Sequence, residues 1–257
     1  MSDGDVTTEV RTEVTDGVAV LTVSNPARRN ALNLDLSQKL VAAVEAANAD
    51  DSVGAIVVTG RAPAFCAGGD LAELQQADPA TLKRVYSGFL AIASSPLPTL
   101  AAVNGAAVGA GINLALACDV RLAGPTARFD VRFMQLGLHP GGGYTWMAQR
   151  ALGAQGSAAM TLFGDVLDAR EAERVGLVWR AYDSDEDLMA GARELAGRAA
   201  AAPRDLIVTT KATMRITSRL DAHADATDIE VRAQAETVHS EAFAERVAAL
   251  QKKISRK

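Results

Sequence analysis

The chain is poor in the side chains that usually announce chemistry. Its 257 residues include two cysteines and three histidines, and aromatic residues make up 4% of it. Cys66 and Cys118 both sit in apolar or small-residue surroundings. They read as buried, reduced thiols rather than a disulfide, which suits a cytoplasmic protein. No metal site is expected. A cationic excess is also missing, with 26 Lys+Arg against 31 Asp+Glu for a net charge of −5. An acidic chain with few aromatics is a poor nucleic-acid binder. The start, MSDGDVTT, lacks the basic residues and apolar stretch of a signal peptide, so export is not expected. No G-x-G-x-x-G follows a strand and no G-x-x-x-x-G-K-[ST] occurs, so neither a dinucleotide fingerprint nor a nucleotide-phosphate cradle is supported. What is present is a 49% hydrophobic composition with 8 prolines. That supports one sizeable core, or one core plus a small appendage.

One stretch, LPTLAAVNGAAVGAGINLALACDV at 97–120, resembles a membrane span in its hydropathy. Asn104, Asn113, Asp119 and its glycines would be costly in lipid, and no basic flank sets an orientation, so no membrane partner is expected. The stretch reads instead as a buried strand (Thr99–Val103), a small-residue turn (Asn104–Gly111) and a buried helix (Ile112–Cys118). A strand that turns through glycines into a helix aims free backbone N–H groups at one point, a place for developing negative charge.

Along the rest of the chain, Val18–Val23 and Ala55–Thr59 are β-branched strands. Leu34–Ala49 has a helical apolar period, with Asn33 or Asp35 as its cap. Leu71–Ala93 is a second helical region, and Val120–Ala123 and Ala127–Phe129 are further strands. The alternation predicts an α/β fold with largely parallel strands. Trp146–Leu152, Gln155–Phe163 and Ala169–Val175 look helical, Leu177–Tyr182 is a strand candidate, and nearly everything from Glu186 onward is helical. A boundary near Pro203 divides a core (1–202) from a helical region (203–257). The stretches Leu206–Arg215, Asp221–Glu236 and Glu241–Lys253 have apolar faces too rich for isolated solvated helices. They are expected to pack on the core or on another subunit.

Three glycine clusters recur: FCAGGDL (Phe65–Leu71), NGAAVGAG (Asn104–Gly111) and HPGGGY (His139–Tyr144). Each alone is a turn signal. Together with NALN (Asn30–Asn33) and ACD (Ala117–Asp119), at this spacing, the chain resembles the crotonase family, the enoyl-CoA hydratase/isomerase superfamily, from about Val18 to its C-terminus. The resemblance implies a spiral of β-β-α turns and a helical C-terminal region used in trimerisation, in a homotrimer or a dimer of trimers. It implies an acyl-CoA thioester as ligand, with coenzyme A entering as part of the substrate and no separate cofactor. It also implies an oxyanion hole of two backbone N–H groups, those of Gly69 and Ala110. Main-chain donors make Gly and Ala equivalent if the turn is kept, and the bland alternative for both residues is close packing.

The resemblance places acid/base glutamates at two further positions. Here they read Asn113, three residues after Ala110, and Phe133. An amide can orient a water or a carbonyl but cannot shuttle a proton, and a phenyl ring offers apolar surface only. General acid–base transfer contributes about 10²–10⁴-fold per group, so ordinary hydration should suffer badly. An aspartate that related isomerases and dehalogenases carry falls on Gly141, and so is absent too. Among the polar residues nearby, His139 suits a base by its ordinary pKa, or it shapes the turn at Pro140. Asp130 and Arg132 alternate with Val131 and Phe133 along a possible strand, which would face them away from Phe133, in an ion pair or a subunit contact. Tyr144 and Trp146 line an acyl pocket or belong to the core, Cys66 reads as a small buried hydrophobe, and His223 and His239 as surface or interface residues.

For the coenzyme A moiety, the resemblance points to Arg28 as a phosphate or ribose contact and Ala31 as a backbone contact. Ala67, Gly68, Asp70 and Leu71 follow the loop that meets adenine and thioester. Lys252, Lys253, Arg256 and Lys257 meet phosphates or are a solvated helix end. Two readings stay open: an enzyme that stabilises a thioester enolate, and a non-catalytic acyl-CoA binder.

Overall fold

The protein is described here by a computed structural model covering residues 7–255. Part of the acidic start and two residues of the basic tail, Arg256 and Lys257, lie outside them. The chain divides into two compact units between Ala200 and Ala201.

In the first unit, β1 (Glu9–Thr15) and β2 (Val18–Ser24) form a hairpin, followed by α1 (Leu34–Ala49) and β3 (Ala55–Gly60). Three turns then repeat one pattern. Each places one strand in a large sheet, the next in a small sheet, and then goes helical. β3 is followed by β4 (Ala64–Cys66), α2 (Leu71–Leu74) and α3 (Pro79–Ser94); β5 (Thr99–Val103) by β6 (Ala106–Val108) and α4 (Ala110–Leu116); β7 (Val120–Ala123) by β8 (Arg128–Asp130) and α5 (Tyr144–Leu162). Then come β9 (Leu167–Asp168), α6 (Ala169–Arg174), β10 (Arg180–Ala181) and α7 (Asp185–Ala200). The large sheet runs β1-β2-β3-β5-β7-β10 and the small one β4-β6-β8-β9. β2 through β10 pair parallel in the large sheet, with β1 antiparallel at its edge. This is the expected α/β spiral of β-β-α turns.

The sequence dictates which face goes where. Alternate residues of a strand point to opposite faces. Val18 and Val20, Ala55 and Val57, Leu100 and Ala102, and Leu122 share one face and pack with Leu188, Ala192 and Ala196 of α7. Between them lie Ala19, Leu21, Ile56, Val58 and Ala101, also buried, so the central strands are apolar on both faces, as parallel strands covered on both sides must be. α1 begins at Asn33, whose side chain accepts from the Leu36 N–H at 2.8 Å. Asn33, not Asp35, is therefore the cap.

Several local expectations are corrected. The region 71–93 breaks after Leu74, because Asp78 caps a new helix with Pro79 in its first turn. The turn 104–111 contains β6, and α4 starts at Ala110 rather than Ile112. Of Leu177–Tyr182 only Arg180–Ala181 is strand, and Trp179 is 72% exposed. β1 was not anticipated: its residues are almost all exposed and lack an apolar face.

The second unit holds α8 (Arg204–Thr217), α9 (His223–Thr237) and α10 (Glu241–Ile254). Leu206, Met214, Ile216, Val231, Val238, Phe243, Leu250 and Ile254 are exposed on them. Lys252 and Lys253 lie in the last turn of α10. No helix of the described residues is long and apolar enough to cross a membrane, and none of their His, Cys, Asp and Glu side chains cluster as a metal site.

Candidate active site

Two backbone segments meet at the site, and each is fixed by residues that the motifs contain. The first is the loop after β4. Asn30 is 1% exposed, with left-handed backbone (φ 62°), a conformation asparagine tolerates better than most residues. Its Nδ2 donates to the carbonyls of Arg61 and Ala64 at 2.7 and 2.8 Å, and its Oδ1 accepts from the Asn25 N–H at 3.0 Å. This buried clamp carries Arg29–Leu32 alongside the loop, where they form a short parallel ladder. Ala67 N–H donates to Arg29 O (3.0 Å), Leu32 N–H to Gly68 O (2.7 Å) and Asp70 N–H to Leu32 O (2.8 Å). In a parallel pair the residue opposite the bonding one turns its own N–H and C=O to the other side. Gly69 is that residue, bridged to Leu32, and its N–H makes no backbone hydrogen bond among the described residues.

The second segment is the β6–α4 turn. Gly109 adopts φ 50°, ψ −113°, and its N–H is taken by the Asp130 carbonyl at 2.9 Å. Ala110 is the first residue of α4, and its N–H belongs to the helix-opening set that has no intrahelical acceptor. Gly111 joins the two segments. A Cβ there would overlap the Cys66 carbonyl oxygen and lie 3.1 Å from the Cys66 Cβ. Only a glycine lets α4 come so close to the loop. Gly68, at φ 110°, likewise leaves no room, since its Cβ would be 3.1 Å from Val108 O.

Both donors line a cavity of about 630 Å³, within the ordinary range for small-molecule sites, about 300–1,000 Å³. Of the site residues expected from sequence, Ala67, Gly68, Gly69, Leu71, Ala110, Asn113, Phe133 and His139 line it. Arg28, Ala31 and Asp70 do not. Arg28 is exposed and its Nε is 3.8 Å from Asp70 Oδ2. Ala31 is buried, and Asp70 caps α2 by accepting from the Ala72 and Glu73 N–H groups. The expectation that Arg132 faces away from Phe133 is wrong: both line the cavity. β8 ends at Asp130, and Arg132 has a left-handed backbone (φ 52°) that breaks the alternation, while its Nε reaches back to Asp130 Oδ2 at 2.9 Å.

Among the described residues, the lining contains no aspartate or glutamate. Asn113 is 1% exposed; its Nδ2 donates to Gly141 O at 2.8 Å, while its Oδ1 is buried without a partner. The hydrogen-bond network therefore sets the amide's orientation and leaves an acceptor unspent. His139 Nδ1 lies 2.7 Å from Pro140 O, a carbonyl that can only accept. In the neutral ring Nδ1 thus carries the proton and Nε2 keeps its lone pair. Tyr144 is core: it is 1% exposed, bonds Thr161 Oγ1 at 3.1 Å and backs the Phe133 ring at 5.6 Å. Trp146 is exposed, with Arg150 stacked 3.8 Å from its ring. Asp119 of the ACD motif is structural, accepting from both the N–H and the hydroxyl of Thr99. Sequence reasoning missed Tyr86 and Leu82 of α3, which also line the cavity; nothing local marks them, because only the fold brings α3 over the site.

Burial pushes the Cys66 thiol up to about 12. A thiol alkylates as its thiolate, so native Cys66 stays protonated and shielded through pH 9. Iodoacetamide followed by mass spectrometry is expected to leave Cys66 unmodified in the native protein and to label it after denaturation.

Comparisons with known proteins give the family. The profile described as "Enoyl-CoA hydratase/isomerase" matches residues 13–255. The chain belongs to that family. It is 52% identical over 243 residues to the protein named "Probable enoyl-CoA hydratase EchA14" of Mycobacterium tuberculosis, covering 91% of this chain and 94% of that one. It is 42% identical over 170 residues to the 2,3-dehydroadipyl-CoA hydratase of Escherichia coli, covering 65% and 67% of the two chains. The crystal structure of an enoyl-CoA hydratase from Polaromonas sp. JS666 superposes with a TM-score of 0.88 at 28% identity, over 95% of this chain and 97% of that one. The family acts on acyl-CoA thioesters.

Proposed function

We propose that this family member binds an acyl-CoA thioester with its carbonyl oxygen between the Gly69 and Ala110 N–H groups and stabilises the enolate formed there. The observation that carries the reading is the pair of unspent backbone donors, held together through Gly111, in one cavity. One such donor is typically worth about 3–4 kcal/mol as charge develops. By the resemblance, Asn113 and Phe133 stand where hydratases of the family place their glutamates, and on this reading the proton traffic runs differently. His139 Nε2 is the base candidate for a water adding to the acyl chain. Arg28, Ala31 and Asp70, near the rim of the loop, serve the coenzyme A portion, and no separate cofactor is needed. The exposed apolar residues of α8–α10 support assembly into a homotrimer or a dimer of trimers, which light scattering would read as a mass of three or six chains. A cytoplasmic location fits the two reduced thiols.

Titration calorimetry with butyryl-CoA, a saturated thioester that cannot be hydrated, tests the binding. Saturable binding lost to free coenzyme A and butyrate alone is the expected result, and no binding at any concentration sinks the reading. A second reading, a non-catalytic binder, is favoured by the absence of any carboxylate in the lining. A panel of enoyl-, dienoyl- and malonyl-type thioesters separates the two. Turnover of any of them rules out the binder. If none turns over, the Asn113→Glu, Phe133→Glu double variant should gain crotonyl-CoA hydration on the intact scaffold.

A further inference from the structure

The polar groups that the cavity leaves unspent converge on the Gly141–Gly142 turn. On one side stands Tyr86. A Cβ at Gly141 would overlap the Tyr86 hydroxyl oxygen and lie 3.1 Å from Tyr86 Cζ. The backbone at Gly141 is not left-handed, so a side chain there is excluded by the phenol and not by φ. The phenol fills the space that a residue-141 side chain would otherwise fill. Its ring is steadied by Phe89, with centroids 5.5 Å apart, and it lines the cavity together with Gly69 and Ala110. Burial raises its pKa and no hydrogen bond lowers it. The hydroxyl is therefore neutral, protonated and free to donate. On the other side of the turn, Asn113 Nδ2 holds the Gly141 carbonyl, and Asn113 Oδ1 is a buried acceptor with no donor. That oxygen is enclosed by the protein, so Asn113 holds the turn in place while the phenol faces the cavity.

We propose that Tyr86 is the proton donor of this site, delivering its hydroxyl proton to Cα of the enolate held by Gly69 and Ala110. The assignment rests on the thioester reading above. For a 2-enoyl thioester the step balances as follows. Water in the cavity bonds through its oxygen to Cβ and gives one proton to His139 Nε2. The C=C electron pair moves to the thioester, placing negative charge on its oxygen. The enolate pair then takes the proton of Tyr86 at Cα, and the O–H electrons remain on the phenolate. The His139 imidazolium returns a proton to the phenolate through solvent. One water is added and both side chains are restored. A neutral phenol cannot act first as a base, which fixes the direction of its single transfer.

Tyr86→Phe removes one oxygen that makes no hydrogen bond among the described residues, so the fold should survive. With crotonyl-CoA as substrate, kcat is expected to fall about 100-fold or more, the lower end of a lost general acid, while KM and the butyryl-CoA dissociation constant stay within about threefold by the same reasoning. Gly141→Asp alone should lose activity through its overlap with the phenol. In a Tyr86→Ala background the same Gly141→Asp change has room, and its carboxyl should recover at least about tenfold over Tyr86→Ala. A tyrosine that merely packs would not be rescued in this way. The proposal is overturned if Tyr86→Phe keeps half or more of the wild-type kcat, or if it loses butyryl-CoA binding along with turnover. A wild-type chain that binds butyryl-CoA yet hydrates no 2-enoyl thioester overturns the Tyr86 assignment alone. A chain that binds no thioester overturns the reading beneath it.

Discussion

Gly111→Ala is expected to weaken thioester binding at a site whose every polar side chain is left untouched. The new Cβ would overlap the Cys66 carbonyl oxygen, which is main chain and cannot swing aside. Either α4 retreats from the Cys66–Gly69 loop or the loop yields. Both outcomes move the Ala110 N–H relative to the Gly69 N–H. Overpacking of this kind costs about 1–3 kcal/mol or more, and a misplacement of about 1 Å in a reacting geometry can cost about 10²-fold. Urea unfolding should therefore show a lowered midpoint, and calorimetry with butyryl-CoA a weaker affinity than wild type. Gly197→Ala is the control. Its Cβ would meet nothing within 4 Å, on the helix α7. It should gain up to about 1 kcal/mol from helix propensity and leave binding alone. Unchanged affinity in Gly111→Ala would show that the two donors do not act as a pair.

Asn30→Ala should be among the most damaging single changes to stability. Asn30 does not line the active-site cavity, yet it satisfies two carbonyls and one N–H in a buried setting. Leaving each unsatisfied costs about 1–3 kcal/mol, and alanine is strained at φ 62°. The expected loss is about 3–5 kcal/mol by denaturant titration, within the range of broken buried networks. Butyryl-CoA affinity should fall as well, because the clamp carries the ladder that turns the Gly69 N–H into the cavity. A loss under about 1 kcal/mol would show that water takes over the freed carbonyls and that the ladder stands without the clamp.

These two residues show where the sequence was legible and where it was not. The central strands β2 and β3 of the large sheet were readable because both faces are buried and β-branched runs leave little choice. The glycine clusters marked the turns at Gly68–Gly69 and Gly109–Gly111, which proved to be close approaches of main chain to main chain. The NALN motif was visible, but the clamp made by Asn30 was not, since its carbonyl partners lie more than thirty residues ahead. β6 was hidden because three residues, Ala106–Val108, cannot show a period inside a glycine-rich stretch. Arg132 escaped the alternation argument because one left-handed residue resets the direction of every side chain after it. Tyr86 was invisible for a different reason. Its contact with Gly141 spans 55 positions, and its role depends on a side chain that position 141 does not have.

The Gly69–Ala110 donor pair is tested most directly by a crystal structure with butyryl-CoA bound. The account predicts the thioester oxygen within about 2.7–3.2 Å of both the Gly69 and the Ala110 nitrogen, with the acyl chain running past Asn113 and Phe133. A bound thioester whose oxygen meets neither nitrogen, or meets water or Arg132 instead, would contradict it.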